Sequence, residues 1–193
     1  MISGLMQNRV KEFQILMMIG LISFCSSKLR RERQTCISRT TILLMNRCPQ
    51  HTFIVLTKRA DRMLELSPTL TWSDNIWLGV TVEEAGYADR IGHLKQTPAS
   101  NKFVCAEPLL GDLGELDLTG IDWVVVGGES GKNFRPCKEE WVLHLRDQCE
   151  GQGVTFTFKQ WGGRFRKRNG SLLQGEYYYK MPVSNQVKIY NSD

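Results

Sequence analysis

The stretch that decides the fold is "IDWVVVGGESGKNFRP", Ile121 to Pro136. A run of aromatic and β-branched residues ends abruptly in Gly127-Gly128, followed by Glu129 and Ser130-Gly131. The run is apolar throughout rather than alternating, as expected of a strand buried on both faces of a parallel sheet. Glycine at the end of such a strand points to a sharp turn or to a close approach by another group. The question it raises is what Glu129 touches.

Outward from this stretch the same unit recurs. "HTFIVLTKR" (His51–Arg59), "IWLGVTV" (Ile76–Val82), "KFVCAE" (Lys102–Glu107) and "VTFTFKQWGG" (Val154–Gly163) are short apolar runs closed by polar residues. Helical patterns lie between them. "ADRMLELS" (Ala60–Ser67) stops before Pro68, "EEAGYADRIGHLKQ" (Glu83–Gln96) before Pro98, and "KEEWVLHLRDQCEGQG" (Lys138–Gly153) places Trp141, Leu145 and Cys149 on one face. Strand and helix alternating in this way predict βαβ units and a parallel sheet. The basic stretch "RFRKRNGS" after the last run reads as a hairpin or loop.

Residues 1–50 stand apart. They hold five of the seven Met, three of the six Cys and no Asp, and their eight Lys/Arg face only Glu12 and Glu32, for a net +6. Residues 51–193 sum to −1, so the overall +5 belongs to the N-terminal quarter and says little about what the globular body binds. This divides the chain into an atypical basic arm (1–50), disordered or altered by a frameshift, an α/β domain (51–182) and a tail (183–193). The apolar run Ile15–Cys25 is too short to span a bilayer, which takes about 20 residues, and lacks the flanks of a signal peptide. The cysteines form no C-x-x-C pair, so reduced thiols in a cytoplasmic protein without a membrane anchor are expected.

In parallel α/β folds, ligands meet the carboxyl ends of the strands. The residues there are Lys58 and Arg59; Thr81 with Glu83; Glu107; Gly127, Gly128, Glu129 and Ser130; and Lys159, Gln160 and Trp161. Each has a plainer alternative: Lys58 pairing with Glu107 as a structural bridge, the glycines as a simple turn, Trp161 as a core plug. The glycine N–H groups could instead form an anion-binding concavity, with Glu129 accepting from an amine or hydroxyl. Lys58, Glu107, Glu129 and Lys159 are expected to converge on one nearly neutral pocket suited to a zwitterion. No nucleophile–base motif, P-loop or dinucleotide fingerprint occurs.

"CPQHTFIVLTKRADRM", "IWLGVTVEEAGYADRI", "FVCAEPLLG", "IDWVVVGGESG", "FRPCKEEWVLHLRDQC" and "FKQWGG", in this order from Met45 to Pro182, resemble the phage gene-product-37/68 family. The resemblance implies a radical S-adenosylmethionine-like enzyme of unknown substrate on a parallel (β/α) barrel. It also implies S-adenosylmethionine and a [4Fe–4S] cluster on three close-spaced cysteines as cofactors, and a three-Cys-motif partner protein. Here Cys25, Cys36 and Cys48 are 11 and 12 positions apart, which does not suit a cluster gripped by one short loop. The chain is therefore expected to be a partial barrel, lacking or altering its first strands and without its cluster. The alternatives are a non-catalytic nucleotide- or protein-binding relative, and a nucleic-acid binder using the basic arm and "RFRKRNGS".

Overall fold

The computed structural model describes residues 16–19 and 39–182. Six parallel strands form one sheet in strictly sequential order: β1 (Leu16–Ile19), β2 (Phe53–Thr57), β3 (Ile76–Thr81), β4 (Asn101–Ala106), β5 (Trp123–Gly127) and β6 (Thr155–Gln160). The fold is thus α/β with a mostly parallel sheet. Among the described strands the order never reverses, and no switch point of the doubly wound kind occurs.

The helices are α1 (39–46), α2 (Ala60–Leu66), α3 (Asp89–Lys95) and α4 (Glu139–Gly151). The apolar residues of α2, α3 and α4 meet the same face of the sheet. Ala60, Ile91, Leu94, Val142, Leu145 and Cys149 pack with Leu78, Val80, Val104, Ala106, Val124, Val126 and Phe158. Each Leu or Val fully buried in this layer contributes about 1.5–3 kcal/mol. The side chains of opposite parity, Ile54, Trp77, Phe103, Cys105, Trp123 and Val125, form a second cluster to which no described helix contributes. Period-2 alternation thus gives one helix-covered face and one helix-free face.

Two features differ from the sequence reading at the N-terminal side. Leu16–Ile19 pairs in parallel with β2, Leu16 opposite Phe53, so the edge expected to lie open at β2 carries a further strand. Residues 39–46, expected to lie with the arm, are a helix whose Ile42 and Met45 are buried against Phe53 and Ile76. Side chains tie down the end of this helix: Asn75 Nδ2 lies 3.2, 3.0 and 2.9 Å from the carbonyls of Met45, Cys48 and His51, and Asn46 donates to the Thr71 carbonyl at 2.9 Å and accepts from the Ser73 hydroxyl at 2.6 Å. Carbonyls left over at a helix end need such a donor. Cys25 and Cys36, like the tail 183–193, lie outside the described residues.

Other boundaries moved for identifiable reasons. The helix expected from Glu83 begins at Asp89, because Glu83 is buried and Glu84 is extended (φ −154°, ψ 163°). "RFRKRNGS" holds a short helix, α5 (Arg166–Asn169), before a hairpin of β7 (Leu172–Leu173) and β8 (Glu176–Tyr177). Just beyond β8, Tyr179 bridges antiparallel to Thr157 and closes the free edge of β6.

Candidate functional site

Alternation along the strands decides what gathers at their carboxyl ends. Counting in twos from Trp77 reaches Gly79, Thr81 and Glu83; from Phe103, Cys105 and Glu107; from Trp123, Val125 and Gly127. The helix-free face therefore carries an aromatic floor and, further along the same parity, a polar rim. In the floor the Trp77 ring meets Trp123 edge-on at 5.9 Å, and Phe103 lies 5.7 Å from Trp123. The Phe103 ring fills the space over Gly79, where a Cβ would stand 2.3 Å from Cε1. Trp123 Nε1 donates to Thr157 Oγ1 at 2.8 Å, which satisfies the one polar atom of that indole.

The rim has two charged groupings. In the first, Glu83, with its side chain 10% exposed, pairs with Lys58 and with Arg90 Nη1 at 3.1 Å. Arg90 also donates to the Thr81 carbonyl at 2.7 Å and lies 4.0 Å over the Tyr87 ring. Burial and the neighbouring Arg90 charge pull the Lys58 ammonium below its ordinary value. In the second, Glu107 accepts from Lys159 Nζ at 2.7 Å and Gln160 Nε2 at 3.0 Å. A bulge aims Lys159: Val126 pairs with Phe158 and Gly127 with Gln160, leaving Lys159 as the extra residue. The Cys105 thiol feels both groupings. Burial, then Glu107, push it up to about 11, against the opposing pull of Lys159 and Lys58.

Of the sequence candidates, Lys58, Thr81, Glu83, Glu107, Lys159 and Gln160 meet at this rim. The alternative Lys58–Glu107 bridge does not form; Lys58 pairs with Glu83 and Glu107 with Lys159. Arg59 is exposed, with no acid paired to it among the described residues. Glu129 is not part of the rim. Its carboxylate is held by Arg135, from the backbone N–H at 2.7 Å, Nε at 2.9 Å and Nη2 at 2.7 Å. These bonds hold its carboxyl down at about 2.

Nor do the glycines form an open anion cradle. The Gly128 N–H donates to the Gln160 carbonyl at 2.8 Å, and a Cβ on Gly128 would stand 2.0 Å from the Trp161 carbonyl oxygen. Gly163 N–H in turn donates to the Glu129 carbonyl at 2.7 Å. The glycines let the loops after β5 and β6 lock backbone to backbone. Ser130 joins that lock, bridging to Gly163 with its hydroxyl 3.3 Å from Gln160 Oε1. Trp161 packs on Phe158 at 4.6 Å and donates Nε1 to the Leu172 carbonyl at 2.8 Å, so it props the C-terminal hairpin.

Arg90 and Cys105 belong to the rim but stand outside the strand-end residues read from the sequence. The parity count from Phe103 is the signal that finds Cys105. Arg90 has none, since it reaches the rim from a helix.

A cluster does not fit the described thiols. Cys48, Cys105, Cys137 and Cys149 sit on separate elements, and burial pushes Cys137 up to about 11 and Cys149 up to about 12, so both stay protonated at neutral pH. Among the described residues no group of three or more His, Cys, Asp or Glu could hold a metal ion. No helix there is long and apolar enough to cross a membrane. Over residues 24–182 the chain matches the family described as "Protein of unknown function (DUF5131)". No curated protein and no solved structure matches it.

Proposed function

The chain belongs to the DUF5131 family of proteins of unknown function, and from that premise we propose that it is a partial (β/α) barrel whose helix-free face binds a small zwitterionic ligand with a flat ring. Sequential parallel strands, with α2, α3 and α4 packed on one face, support the barrel. A doubly wound sheet would reverse its order once and cover both faces. The helix-free face is then the lumen, and its carboxyl-end rim is the mouth.

The observation that carries the binding role is the pairing on one face of a dry aromatic floor with two rim carboxylates and their cations. A dry floor strengthens charge–charge interactions at the mouth. A ligand ammonium would be accepted by Glu83 or Glu107, and a ligand carboxylate by Lys58 or Lys159. S-adenosylmethionine, the ligand implied by the family resemblance, has this combination of zwitterion and ring. The neutral Cys105 thiol is no ready nucleophile. The described thiols do not suit a cluster either, so we assign binding and no radical step.

Calorimetry with S-adenosylhomocysteine and 5′-methylthioadenosine tests this. The first carries the amino-acid zwitterion and the second lacks it. Without its two charge-assisted hydrogen bonds, the second should bind at least about tenfold more weakly. Equal affinities, or binding of neither by the folded chain, would remove the assignment.

A further inference from the structure

The chain from Arg164 to Met181 has a composition the ligand site does not use. Residues 164–182 carry five Lys/Arg against Glu176 alone, while residues 51–163 carry 11 Lys/Arg against 16 Asp/Glu. The basic charge of the described domain is therefore concentrated at α5 and Arg164 just before it, with Lys180 just past the hairpin. Five of the nine large apolar or aromatic side chains exposed among the described residues lie in the same stretch: Phe165, Leu172, Tyr177, Tyr179 and Met181. Exposed apolar side chains and rings, interleaved with cations along one stretch of chain, mark an interaction surface.

The geometry is specific. The Phe165 ring, 56% exposed, has the Arg164 and Arg168 guanidinium carbons 5.5 and 5.8 Å from its centroid. Neither arginine has an acidic partner among the described residues. Tyr177 and Tyr179, 66% and 61% exposed, hold their rings 6.1 Å apart at 31°. Both groups are fixed to the same short piece of backbone. Trp161 N–H donates to Gly170 O and Asn169 Nδ2 to Gly162 O, while Phe158 N–H donates to Tyr178 O and the Tyr179 hydroxyl to Lys159 O. Rings and cations are thus anchored to residues 158–162 at the carboxyl end of β6, a stretch that includes the rim lysine.

We propose that Phe165, Tyr177 and Tyr179, with Arg164, Arg168 and Lys180, form a surface for single-stranded nucleic acid. Bases stack on the rings and phosphates meet the cations. Any base has a π-face, so such a surface tolerates any sequence. Duplex is disfavoured because α5 has four residues and cannot fill a major groove. An acidic polypeptide would satisfy the arginines but has no use for three exposed aromatic rings. This site is separate from the zwitterion pocket, and its test uses no nucleoside ligand, so either can fail alone.

The test is fluorescence anisotropy of the full chain with a labelled mixed-sequence oligonucleotide of about 12 nucleotides, within the range such surfaces cover. Single strand, duplex and polyglutamate are compared across a salt series. Tyr177→Ala/Tyr179→Ala should weaken single-strand binding at least about tenfold, whereas Tyr177→Phe, which keeps the ring and leaves the Tyr179 hydroxyl on Lys159 O, should bind as the native chain does, because the rings stack. Arg164→Gln/Arg168→Gln should lower the slope of log affinity against log salt by about 1.4, at about 0.7 for each phosphate that a single strand no longer has neutralised. No binding at low salt, affinity unchanged in both alanine and glutamine variants, or duplex or polyglutamate binding as well as the single strand would overturn the proposal.

Discussion

Glu107 and Glu129 both follow an apolar strand, yet they do opposite work. Glu107 has the parity of Phe103 and Cys105, so it faces the helix-free side and reaches across to Lys159 and Gln160, more than 50 residues away in sequence. Glu129 stands past the register shift between β5 and β6, and its carboxylate closes on Arg135, six residues along the same loop. One acid spans two strands at the carboxyl end of the face with the buried aromatic floor. The other staples its own loop. An acid after a strand is therefore not by itself a sign of a ligand site; parity with the apolar floor separates the two cases.

The sharpest way to break this contrast is to unlock the loops around Glu129. Gly128→Ala would drive a Cβ against the Trp161 carbonyl, where the nearest atom is backbone and cannot rotate away. We expect a loss of about 3 kcal/mol or more in urea unfolding, at the upper end of overpacking costs. A loss under about 1 kcal/mol, the ordinary effect of a point substitution, would mean that the two loops are not locked together.

Next is the rim itself. Glu83→Ala leaves Lys58 and Arg90 facing each other around a largely buried void. About 3 kcal/mol of stability should be lost, the low end for breaking a buried pair. Lys58→Met alone should cost far less, because its side chain is 59% exposed and Glu83 keeps Arg90. Equal losses in the two variants would show that Glu83 is not the centre of this grouping.

How much of this was legible in the sequence follows from the same residues. The five strands from His51 onward and the helix at Lys138–Gly153 could be read, because buried parallel strands are apolar runs and α4 repeats its apolar residues every four positions. Most of the rim could be read because parallel strands deliver their ends together. The partners could not. Lys58 had two acids within reach, and only the fold decides for Glu83 over Glu107. Arg90 enters from a helix. Gly128 signalled a close approach, but what approaches is the Trp161 backbone, 33 positions on, rather than a ligand. Residues 39–46 were missed because their helix is held by Asn75, a hydrogen-bonding partner with no local pattern.

A smaller effect sharpens the comparison of the two acids. Glu107→Gln should weaken S-adenosylhomocysteine binding by about tenfold, the worth of one charge-assisted hydrogen bond. Glu129→Gln should leave it within about twofold, as for a surface change away from the site. Equal weakening by both would return Glu129 to the rim. In the native chain the Glu129 carboxyl should titrate at about 2 by NMR. Its lowered value makes the loop staple present above the ordinary carboxylate range and lost only as pH falls toward about 2.

The smallest effect concerns the loop that leaves Glu107. Beyond the rim it docks on one face of α4. Leu116 and Leu118 N–H groups donate to the side chains of Gln148 and Gln152, at 2.7 and 2.8 Å, and those amides donate back to the carbonyls of Gly114 and Leu116. His144, one turn earlier on the same face, has Nδ1 2.9 Å from Asp112 and Nε2 3.3 Å from Glu115. With a carboxylate at each nitrogen, both must donate, so the bound form is the imidazolium. The Asp112 bond first, then Glu115, raise the His144 value above 6.5. A raised value places the contribution fully below pH 6.5 and removes it as pH climbs through the folded value. The pair is surface-exposed, so about 0.5 kcal/mol is at stake. Amide exchange protection at Leu116 and Leu118 should therefore fall slightly on raising the pH in the native chain and stay constant in His144→Gln. Ligand affinity at the rim should not follow, because the two glutamines still hold the loop. If rim affinity tracks the His144 titration, the support of Glu107 runs through α4, and the mouth is less local than its two ion pairs suggest.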